Sequence, residues 1–156
     1  MKTKSSSARR GLLAGGNWII DQVKLIDVYP QPEKLANIST AMKGTGGGPY
    51  NVLIDLAKSG ARFPLAAVGL VGQDERGNEI LADCRQHKID TRLLAQTTKA
   101  PTSYTDVMTE QSTGRRTFFH ARGANALGDG AGLNFRRTNA RIFHLCYLLV
   151  LDALDV

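Results

Sequence analysis

Cysteine and long apolar runs are scarce in this sequence. Its 156 residues contain two cysteines, too few for the disulfide framework that stabilises small secreted domains. No apolar run reaches the roughly 18 residues that a membrane span requires, and the first residues lack the apolar core of a secretory signal. We therefore expect a protein of the cytoplasm that has no membrane partner.

Acidic residues are absent from the first ten positions. Lys2, Lys4, Arg9 and Arg10 lie there, so the net charge of +6 falls to +2 when these four are left out. No basic helix and no stripe of Lys and Arg interleaved with aromatic residues follows, which argues against nucleic acid as a partner. We predict that residues 1–10 form a disordered basic tail.

A metal site is not expected either. Cys84 and His87, together with His144 and Cys146, are residue types that bind zinc in other proteins. However, Cys84 lies on the apolar face of a predicted helix and Cys146 lies in an apolar strand, where buried cysteine is common. We predict that the chain provides no metal ligands.

Strand-like and helix-like segments alternate along the chain, which predicts one α/β domain with a parallel sheet over residues 11–156. Short apolar segments predict strands at 11–16 and 65–68. Apolar residues at helical spacing predict helices near 52–57 and 80–87.

The pattern changes after residue 101. β-forming residues flank a turn at 111–114 and predict a hairpin over 102–120 rather than a crossover helix. Residues 141–151 are apolar almost throughout and predict a central buried strand. The sequence ends five residues later, so we expect this strand to form an exposed apolar edge, as if the domain were cut.

Four short motifs occur in a fixed order. They are a glycine-rich turn at 46–51, a Gly-x-Asp-x-x-Gly segment at 72–77, an Arg-Thr-Phe step at 116–118 and a Gly-Ala-Asn step at 123–125. No single motif is specific, but together they resemble the PfkB family of ribokinase-like carbohydrate kinases over about residues 11–152.

The resemblance implies a ribokinase-like three-layer α/β sheet with a small β lid formed by the 102–120 hairpin. It also implies a partial, truncated fold, because family members are about twice as long and carry a catalytic Gly-Ala-Gly-Asp motif in their other half. Residues 128–132 contain similar letters but open no apolar helix, so we interpret them as a turn. Asp152 and Asp155, near the end, are not candidates, and no catalytic residue is assigned.

By the same resemblance, the chain would serve phosphoryl transfer from ATP to a sugar hydroxyl, with Mg²⁺, although the ATP site falls largely in the other half. Asp21 would accept hydrogen bonds from two hydroxyls, and Asn51 would bind another. Gly46 and Gly48 would present backbone groups to the sugar, and Arg116 would reach an anionic group of the substrate. A homodimer through the lid is a further implication.

Each of these residues also has an interpretation without a ligand. Asn51 would be a helix N-cap, Asp21 an exposed loop acid and Arg116 an exposed strand residue. Gly46 and Gly48 would only permit the turn.

Three functions remain open from the sequence. The first is a carbohydrate kinase, and the second is a non-catalytic remnant that binds sugar or dimerises. The third is a dinucleotide-binding domain, which is weakened because Pro49 replaces the third glycine of that fingerprint. No Gly-Lys pair occurs, which excludes a Walker-type loop. The residues do not identify the sugar.

Overall fold

Two four-stranded sheets, two α-helices and four short 3-10 helices make up the computed structural model, which describes residues 8–130 and 133–154. In chain order the elements are β1 (Leu12–Gly16), β2 (Ile19–Ile26), β3 (Ile38–Gly46), α1 (Gly48–Lys58), β4 (Leu65–Gly72), α2 (Glu75–Gln86), β5 (Asp90–Thr97), β6 (Tyr104–Glu110), β7 (Arg116–Ala121) and β8 (Ile142–Cys146).

The first sheet has the strand order β5-β4-β1-β8, and all its strands are parallel. Its middle strands, β1 and β4, come from the short apolar segments and are mostly buried. Both helices bury one apolar face against the same core, to which α1 contributes Leu53 and α2 contributes Ile80 and Cys84. The predicted alternation of strands and helices around a parallel sheet is confirmed.

Trp18 fixes the chain as it leaves the first sheet. Its side chain is fully buried, and its indole Nε1 donates a hydrogen bond to the Val68 carbonyl at 2.9 Å. A Cβ atom at Gly69 would lie 2.5 Å from that nitrogen, so a side chain there would displace the indole. This contact orients the short connection that begins the second sheet.

The second sheet has the strand order β3-β2-β6-β7. β6 and β7 pair antiparallel, which confirms the predicted hairpin. β2 pairs parallel with β6 and antiparallel with β3, and neither β2 nor β3 was predicted. β3 is exposed at its first seven positions, so its residues lack the alternating burial by which a strand is usually identified.

Asp74 joins the two sheets. It is the N-cap of α2, where its Oδ1 accepts a hydrogen bond from the Gly77 amide at 2.8 Å. The same carboxylate accepts from the Thr102 amide at 2.7 Å and from the Thr102 hydroxyl at 2.6 Å, just before β6. α2 begins at Glu75, within the Gly-x-Asp-x-x-Gly segment at 72–77.

β8 differs from the central strand predicted at 141–151. It covers five residues and pairs only with β1 among the described strands. Ile142 is 59% exposed and Leu145 is 38% exposed, so the predicted burial was wrong because one side of β8 has no neighbour there. The predicted exposed apolar edge is confirmed. Tyr147, whose φ of +61° is left-handed, ends the extended backbone of β8.

Residues 1–7 of the predicted tail lie outside the described residues. Arg9 donates hydrogen bonds to the carbonyls of Phe135 and Ala140, at 3.1 and 3.2 Å. The Arg10 amide donates to the Asn139 carbonyl at 2.8 Å. The residues just before β1 therefore contact the segment that precedes β8.

Candidate functional site

Asp21 lies on β2 close to a glycine of β3. In the sheet it is paired with Gly44 on one side and with Thr105 on the other. A Cβ atom at Gly46 would lie 2.2 Å from the Asp21 Oδ2 atom. A side chain at position 46 would therefore displace this carboxylate from its observed position.

Asp21, Thr105 and His120 form a row across β2, β6 and β7, which we call the polar row. Direct partners in a sheet point to the same face, and the register pairs Asp21 with Thr105 and Thr105 with His120. The Thr105 hydroxyl and the His120 Nδ1 atom are 2.9 Å apart and hydrogen-bonded. The buried His120 Nε2 has no hydrogen-bond partner among the residues that the structure describes.

Both ionisable groups of the polar row are shifted towards their neutral forms. Burial raises the pKa of Asp21, and the nearby His120 only partly opposes this. Burial lowers the pKa of His120, and the charge of Arg122 lowers it further. The row is therefore a partly buried polar site. A ligand that donates a hydrogen bond to the Asp21 carboxylate would favour its ionised form.

The glycine-rich turn lies next to the polar row, between β3 and α1. Gly47 has φ of +99°, and a Cβ atom there would lie 2.0 Å from the Asn17 carbonyl oxygen. The Gly48 amide donates to the buried Asn17 side-chain oxygen at 3.0 Å. A Cβ atom at Gly48 would also meet the Cys146 sulfur at 2.3 Å. The turn, the end of β8 and the connection after β1 thus meet at the carboxyl edge of the first sheet, where open α/β sheets bind ligands.

Asn51 and Arg116 lie in different surroundings. Asn51 is exposed in α1, and its amide donates to the Gly47 carbonyl at 3.0 Å. The N-cap of α1 is Gly47, so the N-cap interpretation of Asn51 was wrong. Arg116 is exposed over the Phe118 ring. It is four residues from His120 along β7, a distance of about 13 Å at the usual rise per residue.

The structure thus brings Asp21 and Gly46 together, and Gly48 and Asn51 follow in the adjoining turn and helix. Thr105, His120 and Asn17 were not predicted as site residues. A register for the predicted hairpin would have paired Thr105 with His120. Their link to Asp21 requires the parallel pairing of β2 with β6, which no local pattern reveals.

The aspartates near the end form no recognisable catalytic site among the described residues. Asp129 follows a 3-10 helix at Gly123–Leu127, and no α-helix begins in 128–130. Asp155 and residues 131–132 of the predicted turn lie outside the described residues.

Within the described ranges, no group of three or more His, Cys, Asp or Glu side chains is arranged to hold a metal ion. No helix in the same ranges is long and apolar enough to cross a membrane.

Comparison with models of protein families gives one match over most of the chain. Residues 16–154 match the family described as pfkB family carbohydrate kinase. The chain belongs to this family. The resemblance noted in the four sequence motifs is therefore confirmed.

Solved structures agree with this membership in the pfkB family. Ribokinase from Giardia lamblia is 27% identical, with a TM-score of 0.71 over 82% of this chain and 37% of its own. Two less similar proteins show the fold alone. They are the Methanocaldococcus jannaschii nucleoside kinase (19% identity, TM-score 0.74, 89% of this chain and 45% of its own) and Arabidopsis thaliana ribokinase complexed with ribose and ATP (23%, 0.64, 75% and 37%).

The pfkB chain described here spans less than half the length of these three proteins. A search of curated proteins gave no match. The predicted ribokinase-like α/β fold is confirmed as a partial fold of 156 residues.

Proposed function

We propose that this chain forms the part of a pfkB family carbohydrate kinase that binds the sugar acceptor. The observation that carries the proposal is the Asp21 carboxylate, which lies against Gly46 and in one row with Thr105 and His120. The fold relative from Arabidopsis thaliana is a ribokinase complexed with ribose and ATP, which supports a polyhydroxylated acceptor. Membership of a carbohydrate kinase family supports the same class of substrate.

The chemistry of Asp21 suits a sugar. A carboxylate offers two oxygens that accept hydrogen bonds from neighbouring hydroxyls. Because burial raises the pKa of Asp21, hydroxyl donors would replace the lost hydration and favour the ionised form. The His120 Nε2 atom, which has no hydrogen-bond partner in the part of the chain that the structure describes, is a second polar group on the same face.

The glycine-rich turn would give the acceptor room and one further polar group. Gly46 and Gly48 have no side chain to obstruct it. The Gly48 amide already donates to the Asn17 side chain, so Gly48 would contribute space rather than a hydrogen bond. Asn51, exposed in α1, would bind a hydroxyl through its amide.

Arg116 would contact only an extended or anionic acceptor. Its exposed position, about 13 Å along β7 from the polar row, is too far for a monosaccharide bound at Asp21. A guanidinium there suits a phosphate or carboxylate group at the far end of a longer substrate.

ATP with Mg²⁺ is the phosphoryl donor that we propose for the complete kinase. The described part of this chain contains no cluster of metal ligands and no α-helix that begins in 128–130 beside Asp129. We therefore expect residues 1–156 alone to give no turnover in a coupled assay with ATP, Mg²⁺ and a panel of sugars. ADP production that Asp129→Asn abolishes would contradict this expectation and make residues 128–132 the active site. The cytoplasmic location also stays a prediction.

Binding of sugar tests the proposal directly. Titration calorimetry of the 156-residue chain, with D-ribose first and then other pentoses and hexoses, would identify a sugar that binds. Asp21→Ala should then weaken binding tenfold or more, because a hydrogen bond to a charged group contributes roughly 1.5–3 kcal/mol. Asp55→Ala, which removes an exposed acid of α1, is the matched control and should leave the affinity unchanged.

Two outcomes would contradict the proposal. Equal affinities for the wild type and Asp21→Ala would remove Asp21 from the site. Failure of every sugar to bind would remove the acceptor function itself and leave the dimerising alternative.

That alternative, a homodimer through the lid hairpin of the second sheet, is favoured by a specific observation. Met42 and Phe118 belong to one row of the sheet, two residues from the polar row, and are 60% and 57% exposed. Met42 and Phe118 lie on the two edge strands of the sheet, and exposed large apolar side chains on one sheet face suit an interface between two copies. Sedimentation of the wild type and of Phe118→Ser should show a dimer and a monomer, respectively. A wild-type monomer at high concentration would exclude this second candidate.

A further inference from the structure

A cavity lies at the amino edge of the first sheet, opposite the candidate acceptor site. Its volume is about 170 Å³, and its lining comes from the starts of β1, β4 and β5 and from residues 137–140. β1 has five residues and separates the two edges by about 16 Å. The cavity is therefore independent of Asp21 and the glycine-rich turn.

Three arginines from separate parts of the sequence line this cavity. Arg10 precedes β1, Arg92 lies in β5, and Arg137 belongs to the segment before β8. Asp90 is the only carboxylate in the lining among the described residues. Three positive charges and one negative charge leave an excess of two positive charges.

The single carboxylate is already engaged. Arg92 donates to Asp90 through Nε at 3.0 Å and through Nη2 at 2.6 Å, and this contact lowers the pKa of Asp90. Asp90 therefore stays ionised at neutral pH but is paired with Arg92. It does not neutralise the other two guanidinium groups.

Arg10 and Arg137 have little else to compensate their charge. Arg10 donates one long side-chain hydrogen bond, at 3.4 Å to the Arg62 carbonyl. The Arg137 side chain makes no hydrogen bond or ion pair with any residue that the structure describes. Three guanidinium groups around a concave site whose single carboxylate is already paired form a complementary environment for an oxyanion.

We propose that this cavity binds a small phosphate-type oxyanion, such as inorganic phosphate or pyrophosphate, between Arg10, Arg92 and Arg137. Guanidinium groups match the geometry of phosphate oxygens and remain charged at every physiological pH. Thr138 and Asn139 add a hydroxyl and an amide to the lining. The site is distinct from the acceptor site, so the phosphate group that it binds is not the one transferred there.

The test is titration calorimetry of the 156-residue chain with inorganic pyrophosphate, at a fixed ionic strength that is set with chloride. We expect binding to the wild type, and a three- to tenfold weaker affinity for Arg137→Gln, a range discounted for the exposure of the guanidinium. Arg115→Gln removes an exposed charge from the hairpin turn and is the matched control. It should bind pyrophosphate like the wild type.

Two results would overturn the proposal. One is equal loss of affinity in Arg137→Gln and Arg115→Gln, which would indicate a response to net charge alone. The other is the absence of binding to the wild type. Asp21→Ala should leave pyrophosphate binding unchanged, so a failure here is distinguishable from a failure of sugar binding. Thermal unfolding of each variant without ligand checks that the exposed substitutions leave the fold intact.

Discussion

The two sheets of this protein differ in what holds their strands in place. In the first sheet, β1 and β4 are mostly buried and pack against two helices. In the second sheet, β3 is exposed at seven of its nine positions and β7 at four of its six. Burial therefore stabilises the first sheet, whereas pairing and register maintain the second, which carries the polar row. The sheet that contributes less to the core carries the candidate site.

The largest expected effect tests this difference in burial between the two sheets, with one apolar residue substituted in each. Leu13 of β1 is fully buried, whereas Met42 of β3 is 60% exposed. Leu13→Ala should lower the free energy of unfolding by about 2–5 kcal/mol, because it removes buried atoms and leaves a cavity. Met42→Ala should change it by less than about 0.5 kcal/mol. Urea unfolding followed by circular dichroism measures both, and similar losses would contradict the difference.

A smaller effect is expected at the junction of the sheets. Asp74→Ala removes the N-cap of α2 and two hydrogen bonds to Thr102. We expect a loss of about 1–3 kcal/mol in unfolding free energy, together with faster amide exchange in β6 and β7. Asp55→Ala, an exposed acid within α1, is the control. Unchanged exchange in the hairpin would show that Asp74 stabilises only its own helix.

The pH dependence of the same junction has a definite sign. Burial of Asp74 opposes its ionisation, but hydrogen bonds from Thr102 and Gly77 outweigh burial and lower its pKa below the usual 3.8. The folded state therefore binds this proton less tightly than the unfolded state. The stability that Asp74 contributes should be present above about pH 4 and be lost as the pH falls further. A wild type and Asp74→Asn with the same acid dependence would contradict this assignment.

The same difference explains how much the sequence could predict. The apolar runs of β1 and β4 and the helical spacing around Leu53 and Ile80 predicted the two middle strands of the first sheet and its helices, because burial leaves a recognisable pattern. β2, β3 and β5 were missed because β3 is mostly exposed and the other two mix polar and apolar residues. Asp21 was selected through the family motifs, but its neighbours in the polar row were not. Their proximity depends on pairing between β2 and β6, which lie about 80 residues apart in the chain and leave no local signal.

A third effect concerns the polar row itself. Burial, and then the charge of Arg122, lower the pKa of His120 below the usual 6.5. The unfolded state therefore binds the proton more tightly, and stability should fall as the pH drops below about 6.5. Between pH 7.5 and 5.5 the urea midpoint of the wild type should decrease more than that of His120→Gln. Asp21 is present in both proteins, so its own titration cancels in the comparison. Equal decreases would indicate that His120 is not buried in the folded sheet.

The smallest expected effect lies at the far end of the same strand. Arg116 is on β7, about 13 Å from His120, and its described contact is with the Phe118 ring. Arg116→Gln should leave the affinity for a neutral monosaccharide unchanged, because a sugar held by Asp21 does not extend that far. It should weaken an acceptor with a distal phosphate by about threefold at most, since salt and water screen an exposed charge. Calorimetry with a neutral sugar and its phosphate ester, both at the same ionic strength, measures the two affinities. A large loss of affinity for the neutral sugar would mean that Arg116 contacts a sugar bound at Asp21. The exposed start of β7 would then belong to the same binding site as His120, although the strand separates the two residues by about 13 Å.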